Sequence, residues 1–156
     1  MGWRDLAFKL EGQLHKRLLS WGVPTVEQEA VETQVYRDAV KAYVADHEAD
    51  AKYVNLDGKY SAPVEVPQGV GRITDLLLYR PGRFDCEDYA MTYKTLIAML
   101  MGINTVGVVI DWSGAHAYNI LMTADGTVNL YEPQGGYIAE PGGEDRHTFE
   151  NVTILL

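Results

Sequence analysis

A chain of 156 residues with 47% apolar side chains is of single-domain size and long enough to bury one substantial core. Its 22 acidic against 13 basic residues set a formal charge of −9, and no run of Lys or Arg offers a phosphate-tracking stripe, which argues against nucleic acid as a partner. The most apolar window, Leu96 to Met101, is too short to span a bilayer, no secretory leader pattern opens the chain, and Leu6 stands where myristoylation needs Ser or Thr. The expectation is a chain without membrane partners. Its lone cysteine rules out an internal disulfide and fits the cytoplasm or another reducing compartment.

In chain order, Trp3, Leu6, Leu10, Leu14, Leu18 and Trp21 recur at three- and four-residue steps and predict an amphipathic helix ending near Gly22. Thr25 with Gln28 has the form of a capping box, and Val26, Ala30, Tyr36, Ala39, Val40, Tyr43 and Val44 extend a second helix to about Ala45. Its charged face reads as a solvated surface. From Asp46 to Gly71 the apolar period breaks at Asp57-Gly58, Pro63, Pro67 and two glycines, so a loop-rich connection with one short strand is expected. Long connections of this kind often wall a site. Thr74 caps a short helix through Tyr79, and Pro81-Gly82 turns the chain.

Asp85 then precedes an apolar-periodic run and Asp88 follows three residues on, an N-cap with its reciprocal partner, so a helix carrying Tyr89, Tyr93, Ile97 and Leu100 on its core face runs to Gly102. Strands are predicted at Thr105–Ile110, His116–Thr123, Thr127–Tyr131 and Val152–Leu156, with Ala124-Asp125-Gly126 turning a hairpin. Helices followed by antiparallel strands indicate an α+β domain spanning 1–156, with a helical part over 1–50 and a core over 84–156 whose nucleophile helix packs on the sheet.

The chemistry centres on Cys86, the only cysteine, placed at a helix start where unpaired N–H groups and the dipole favour thiolate and lower the thiol pKa. Opposing this, Asp85, Glu87 and Asp88 crowd the sulfur, and their charge calls for pairing with His116 or screening by Arg80 or Arg83. A lone buried cysteine is also an ordinary small hydrophobe. His116 at a strand start and Glu132 at a strand end supply a base and an orienting carboxylate in chain order after the thiol. Asn119, three residues from His116, points to the opposite strand face and reads as a structural hydrogen-bonding group. Trp112 either shields the imidazole or belongs to the core. His15, His47 and His147 read as surface or loop residues.

Asp85-Cys86-Glu87-Asp88-Tyr89-Ala90, with Lys94 and Gly102-Ile103 beyond it, resembles the nucleophile segment of bacterial transglutaminase-like cysteine peptidases, a branch of the papain-like superfamily. His116-Ala117-Tyr118-Asn119, Asp125-Gly126 and Tyr131-Glu132-Pro133-Gln134-Gly135 look closer still to the papain-like C-terminal domain of the Marasmius mushroom agglutinin. The resemblance covers roughly 84–136 and implies a papain-like fold with Cys86 as nucleophile, His116 as general base and acid, and Glu132 as orienting carboxylate. It implies a cysteine hydrolase acting on a peptide or protein substrate through a thioester, or a transglutaminase if an amine takes the acyl group. An inactive binding or structural module of the same fold is the alternative. No cofactor is required by this chemistry. Calcium, on which the agglutinin domain depends, is the one metal suggested, although its ligand positions find no match here. The oxyanion-hole glutamine common before a papain-like nucleophile is missing, and Gln68, the nearest, reads as an ordinary surface residue.

Overall fold

A computed structural model describes residues 27–56, 60–67, 80–143 and 146–156. The helix expected between Trp3 and Trp21, Thr25, Gln68 and the short helix after Thr74 lie outside these residues. The architecture is mixed α/β, with two helices among the described residues, α1 (Thr33–Asp46) and α2 (Cys86–Met101), and eight strands, β1 (Gln28–Val31), β2 (Asp50–Val54), β3 (Tyr60–Pro63), β4 (Val106–Asp111), β5 (His116–Met122), β6 (Val128–Glu132), β7 (Tyr137–Ala139) and β8 (Asn151–Leu155). Six strands form one sheet in the order β2-β8-β4-β5-β6-β7, and β1 pairs with β3 in a separate ribbon.

Side-chain alternation along the strands assigns each helix a face. Tyr118, Ile120 and Met122 of β5 and Leu130 of β6 meet Tyr36, Val40 and Val44 of α1 in one buried cluster. Leu121 and Tyr131, of the other parity, meet Tyr93 and Ile97 of α2 in a second. The sheet thus lies between the helices. Asn119, on the α2 face, donates from Nδ2 to the carbonyls of Ala90 at 2.9 Å and Gly107 at 3.0 Å, which ties α2 to the sheet by the structural bond expected of it. Lys94 adds a second tie, its buried ammonium donating to the Val106 carbonyl at 2.6 Å.

Several expectations are corrected. The second helix does not start near Thr25: Gln28–Val31 is extended and pairs antiparallel with Tyr60–Pro63. There Gln28 Nε2 donates to the Met101 carbonyl at 2.9 Å while its Oε1 accepts from Ser61 Oγ at 2.7 Å, contacts that override a helix-compatible sequence. The 46–71 connection holds two strands instead of one, β2 and β3. The sheet is not wholly antiparallel, because β2 runs parallel to β8. The short edge strand β7 adds to the expected set. The hairpin forms as expected, with Gly126 at φ +87° and Asp125 Oδ1 accepting from Thr123 Oγ1 at 2.6 Å and from the Thr127 amide at 3.0 Å. No helix among the described residues is long and apolar enough to cross a membrane.

Candidate active site

α2 begins at Cys86 because Asp85 caps it. The Asp85 amide donates to Asp88 Oδ2 at 3.2 Å, and the Asp85 carboxylate faces the Asp88 amide to complete a reciprocal box. Asp85 Oδ2 also takes the Gly82 amide at 2.6 Å, fixing the turn before the helix, while its buried Oδ1 makes no hydrogen bond. Gly102, left-handed at φ 69°, closes the other end. Cys86 is the first helical residue, part-buried and free.

β5 and β6 are antiparallel, so the start of one lies beside the end of the other. His116 and Glu132 occupy those ends with the parity of Tyr118 and Leu130, hence on the same face. Their side chains meet, His116 Nε2 lying 2.6 Å from Glu132 Oε2. Glu132 Oε1 accepts the Gln134 amide at 2.9 Å. Burial would raise this carboxyl, but hydrogen bonds from His116, His147 and the Gln134 amide outweigh it and hold its pKa at about 2. The other imidazole nitrogen, Nδ1 of His116, is buried and makes no hydrogen bond. A cleft of about 500 Å³ is lined by Asp85, Cys86, Glu87, Ala115, His116, Gln134 and Arg146, so Cys86 and His116 border one space.

The thiol itself departs from expectation. Its pKa is raised, first by burial and then by Glu87, whose Oε2 lies 3.4 Å from the sulfur and accepts its proton; a hydrogen bond from the Ala117 amide acts in the opposite sense without prevailing. The helix start does not lower it, because burial and the adjacent carboxylate turned back onto the sulfur both oppose ionisation.

His147 is a second correction. It lies in a loop, one of the two places expected for it, but not at the surface: it is 1% exposed, and its Nε2 lies 3.1 Å from the same Glu132 Oε2 that His116 engages. Nothing local marks it, because its segment reaches the site only by folding back on the turn after β4. Arg146 donates from Nε to the Gly114 carbonyl at 3.1 Å and also bonds the Ala115 carbonyl. Asp111 gathers Ser113 Oγ at 2.6 Å, the Gly114 amide at 2.9 Å, Tyr118 Oη at 2.9 Å, Thr148 Oγ1 at 3.0 Å and the Phe149 amide at 2.8 Å, and so fixes the approaches to both histidines. Burial would raise the Asp111 carboxyl, but these donors keep it below the usual range. A Cβ on Gly114 would fall 2.1 Å from the Arg146 carbonyl oxygen, so only glycine permits this approach. Ala115, Arg146 and Phe149, all at positive φ, carry the strain. Trp112 is 63% exposed, donates to Thr153 Oγ1 at 3.0 Å and is not a core aromatic. His47 lies at the surface with Nδ1 2.7 Å from the Tyr43 carbonyl.

Among the described residues, two groups of side chains have the composition of metal ligands, each with ligand atoms within 4.8 Å of one another. His116, Glu132 and His147 form a nitrogen-rich set already joined by short hydrogen bonds. Asp85, Glu87 and Asp88 form an oxygen-only set of the kind hard cations take.

A thiol at a helix start, facing a hairpin that presents histidine and glutamate, sits inside a recognisable domain type. Residues 52–149 match the family described as the ricin-type beta-trefoil lectin C-terminal domain, and the chain belongs to that family. The match supports the relative expected from the sequence, the Marasmius-type agglutinin C-terminal domain. It identifies the domain and leaves its chemistry open. No curated protein matches the chain.

Proposed function

We propose that the cleft at Cys86 performs thiol-dependent hydrolysis of a peptide or amide bond in the manner of papain-like cysteine peptidases. The observation that carries this reading is the division of labour on His116: Nε2 is committed to Glu132, Nδ1 is left without a partner, and the residue lines the same cleft as Cys86. In this scheme His116 Nδ1 takes the proton from Sγ, and the sulfur adds to the substrate carbonyl carbon. The resulting oxyanion meets the Cys86 amide, one of the donors a helix start leaves unpaired, beside the Gln134 side chain lining the cleft. Collapse breaks the C–N bond, and Nδ1–H protonates the departing amine. Water then gives its proton to Nδ1 and displaces the thioester sulfur, releasing the acid. An amine in place of water would make the same site a transglutaminase.

The raised thiol sets the terms. At neutral pH the sulfur is protonated and its proton is shared with Glu87, so turnover rises toward alkaline pH. Asp85, Glu87 and Asp88 would supply oxygen ligands to a hard cation, whose charge, when bound, would counter that of Glu87 beside the thiol. The same Glu87 bond favours a second reading, a binding module in which Cys86 stays protonated and inert.

One comparison separates them. Wild type and Cys86→Ala are incubated with casein and a mixed peptide pool from neutral to alkaline pH, and new termini are read by mass spectrometry. Cleavage by wild type alone is expected, with added amine diverting acyl groups if transfer competes. Equal cleavage by both proteins, or none by either, overturns the hydrolase reading.

A further inference from the structure

Glu132 Oε2 receives two imidazole nitrogens, His116 Nε2 at 2.6 Å and His147 Nε2 at 3.1 Å. An ionised carboxylate only accepts, so each nitrogen must carry its proton. The oxygen's two lone pairs are then filled, and Oε1 is held by the Gln134 amide at 2.9 Å. The carboxylate cannot turn without losing a donor. His147 is fixed as firmly: it is 1% exposed, its ring packs edge-on against Tyr118 at 4.6 Å and His116 at 5.3 Å, and its neighbours Arg146 and Thr148 are tied to the turn that precedes His116. A buried histidine bonded to the carboxylate that orients a second histidine is placed to set that partner's tautomer.

We propose that His147 is a positioning residue for the thiol chemistry: by donating its Nε2–H to Glu132 it holds the carboxylate in line with His116, keeps the His116 proton on Nε2, and leaves Nδ1 free to accept the Cys86 proton. The inference rests on the hydrolase reading for its purpose, but its physical content, the proton positions, can be measured without a substrate.

The test is ring-nitrogen NMR on the full chain with labelled histidine, at a pH where the imidazoles are neutral. Both His116 and His147 are expected as Nε2–H tautomers in wild type, and a His147 proton on Nδ1 overturns the proposal. His147→Phe fills the ring's space without a donor, whereas His147→Gln restores an N–H. In the Phe variant His116 is expected to become a mixture of tautomers and kcat to fall roughly 10- to 100-fold at little-changed KM, the scale on which outer partners of site residues act. The Gln variant recovers most of both. Wild-type tautomers and wild-type kcat in His147→Phe overturn the proposal. Should wild type cleave nothing, the hydrolase reading fails by itself, and the His116 tautomer in the Phe variant still decides the positioning role. If neither variant folds, the wild-type spectrum decides: Nε2–H on both rings supports the proposal, and Nδ1–H on either overturns it.

Discussion

The two walls of the cleft are built on opposite electrostatic plans. On the hairpin side one carboxylate receives three donors, from His116, His147 and the Gln134 amide, and every charge is answered. On the helix side the thiol stands among Asp85, Glu87 and Asp88, with Glu87 taking its proton. On the proposed reading the base is therefore prepared in advance, whereas the nucleophile is held back. A site can be geometrically assembled and still be chemically restrained by burial and a neighbouring carboxylate.

The largest effect expected from breaking this contrast lies on the prepared side. Glu132→Gln keeps the size of the side chain but sets an amide N–H₂ against other donors and removes the charge behind His116. In serine proteases the analogous change costs about 10⁴-fold. A cysteine nucleophile leans less on the third group, so steady-state kinetics should show a fall of roughly 10- to 1000-fold. The same residue imposes a stability signature. Its pKa is lower in the folded chain, about 2 against an ordinary 4.5, so its contribution is complete above 4.5 and is lost as pH falls through about 2. Denaturation midpoints in that window should drop more steeply for wild type than for Glu132→Gln.

Next in size is release of the restrained side. Glu87→Gln removes the first charge acting on the sulfur after burial, so the alkylation midpoint of Cys86 should move down from its raised position. Each unit of downward shift means about tenfold more thiolate at neutral pH, partly offset by its weaker intrinsic nucleophilicity. A rate that does not change on this substitution would place the restraint in burial alone.

The smallest effect belongs to Asp85, which touches both plans as cap and as neighbouring charge. Asp85→Ala should cost about 0.5 to 2 kcal/mol in a denaturant melt, with a modest gain in thiol reactivity. A variant that melts like wild type would remove the cap from the account of why α2 begins where it does.

What is legible in the sequence follows the range of the forces involved. α2 and the β5–β6 hairpin can be read because their signals are local: Asp85 and Asp88 around Cys86, an apolar helical period, and Ala124-Asp125-Gly126 between alternating strands. β1 cannot, because Gln28–Val31 is extended only through pairing with Tyr60–Pro63, far along the chain. The parallel pairing of Asp50–Val54 with Asn151–Leu155 is as distant, and no local pattern announces it. The meeting of His116 with Glu132 follows from hairpin parity. That of His147 does not, because its approach depends on Arg146, Gly114 and Asp111 interlocking two turns. The raised thiol runs against the helix-start expectation because burial of the sulfur is a tertiary outcome, and because the sequence shows that Glu87 stands beside Cys86 but not the rotamer that turns it onto the sulfur.

The position of β8 ties assembly of the site to the completion of folding. This strand lies between β2 and β4, and the segment that leads into it carries His147 and is clasped to Asp111 through Thr148 and Phe149. Seating β8 in the sheet therefore also delivers the second histidine to Glu132. A partly folded chain has neither a complete sheet nor a fully oriented imidazole, so on the proposed reading the chemistry of the cleft is switched on only as the backbone finishes pairing.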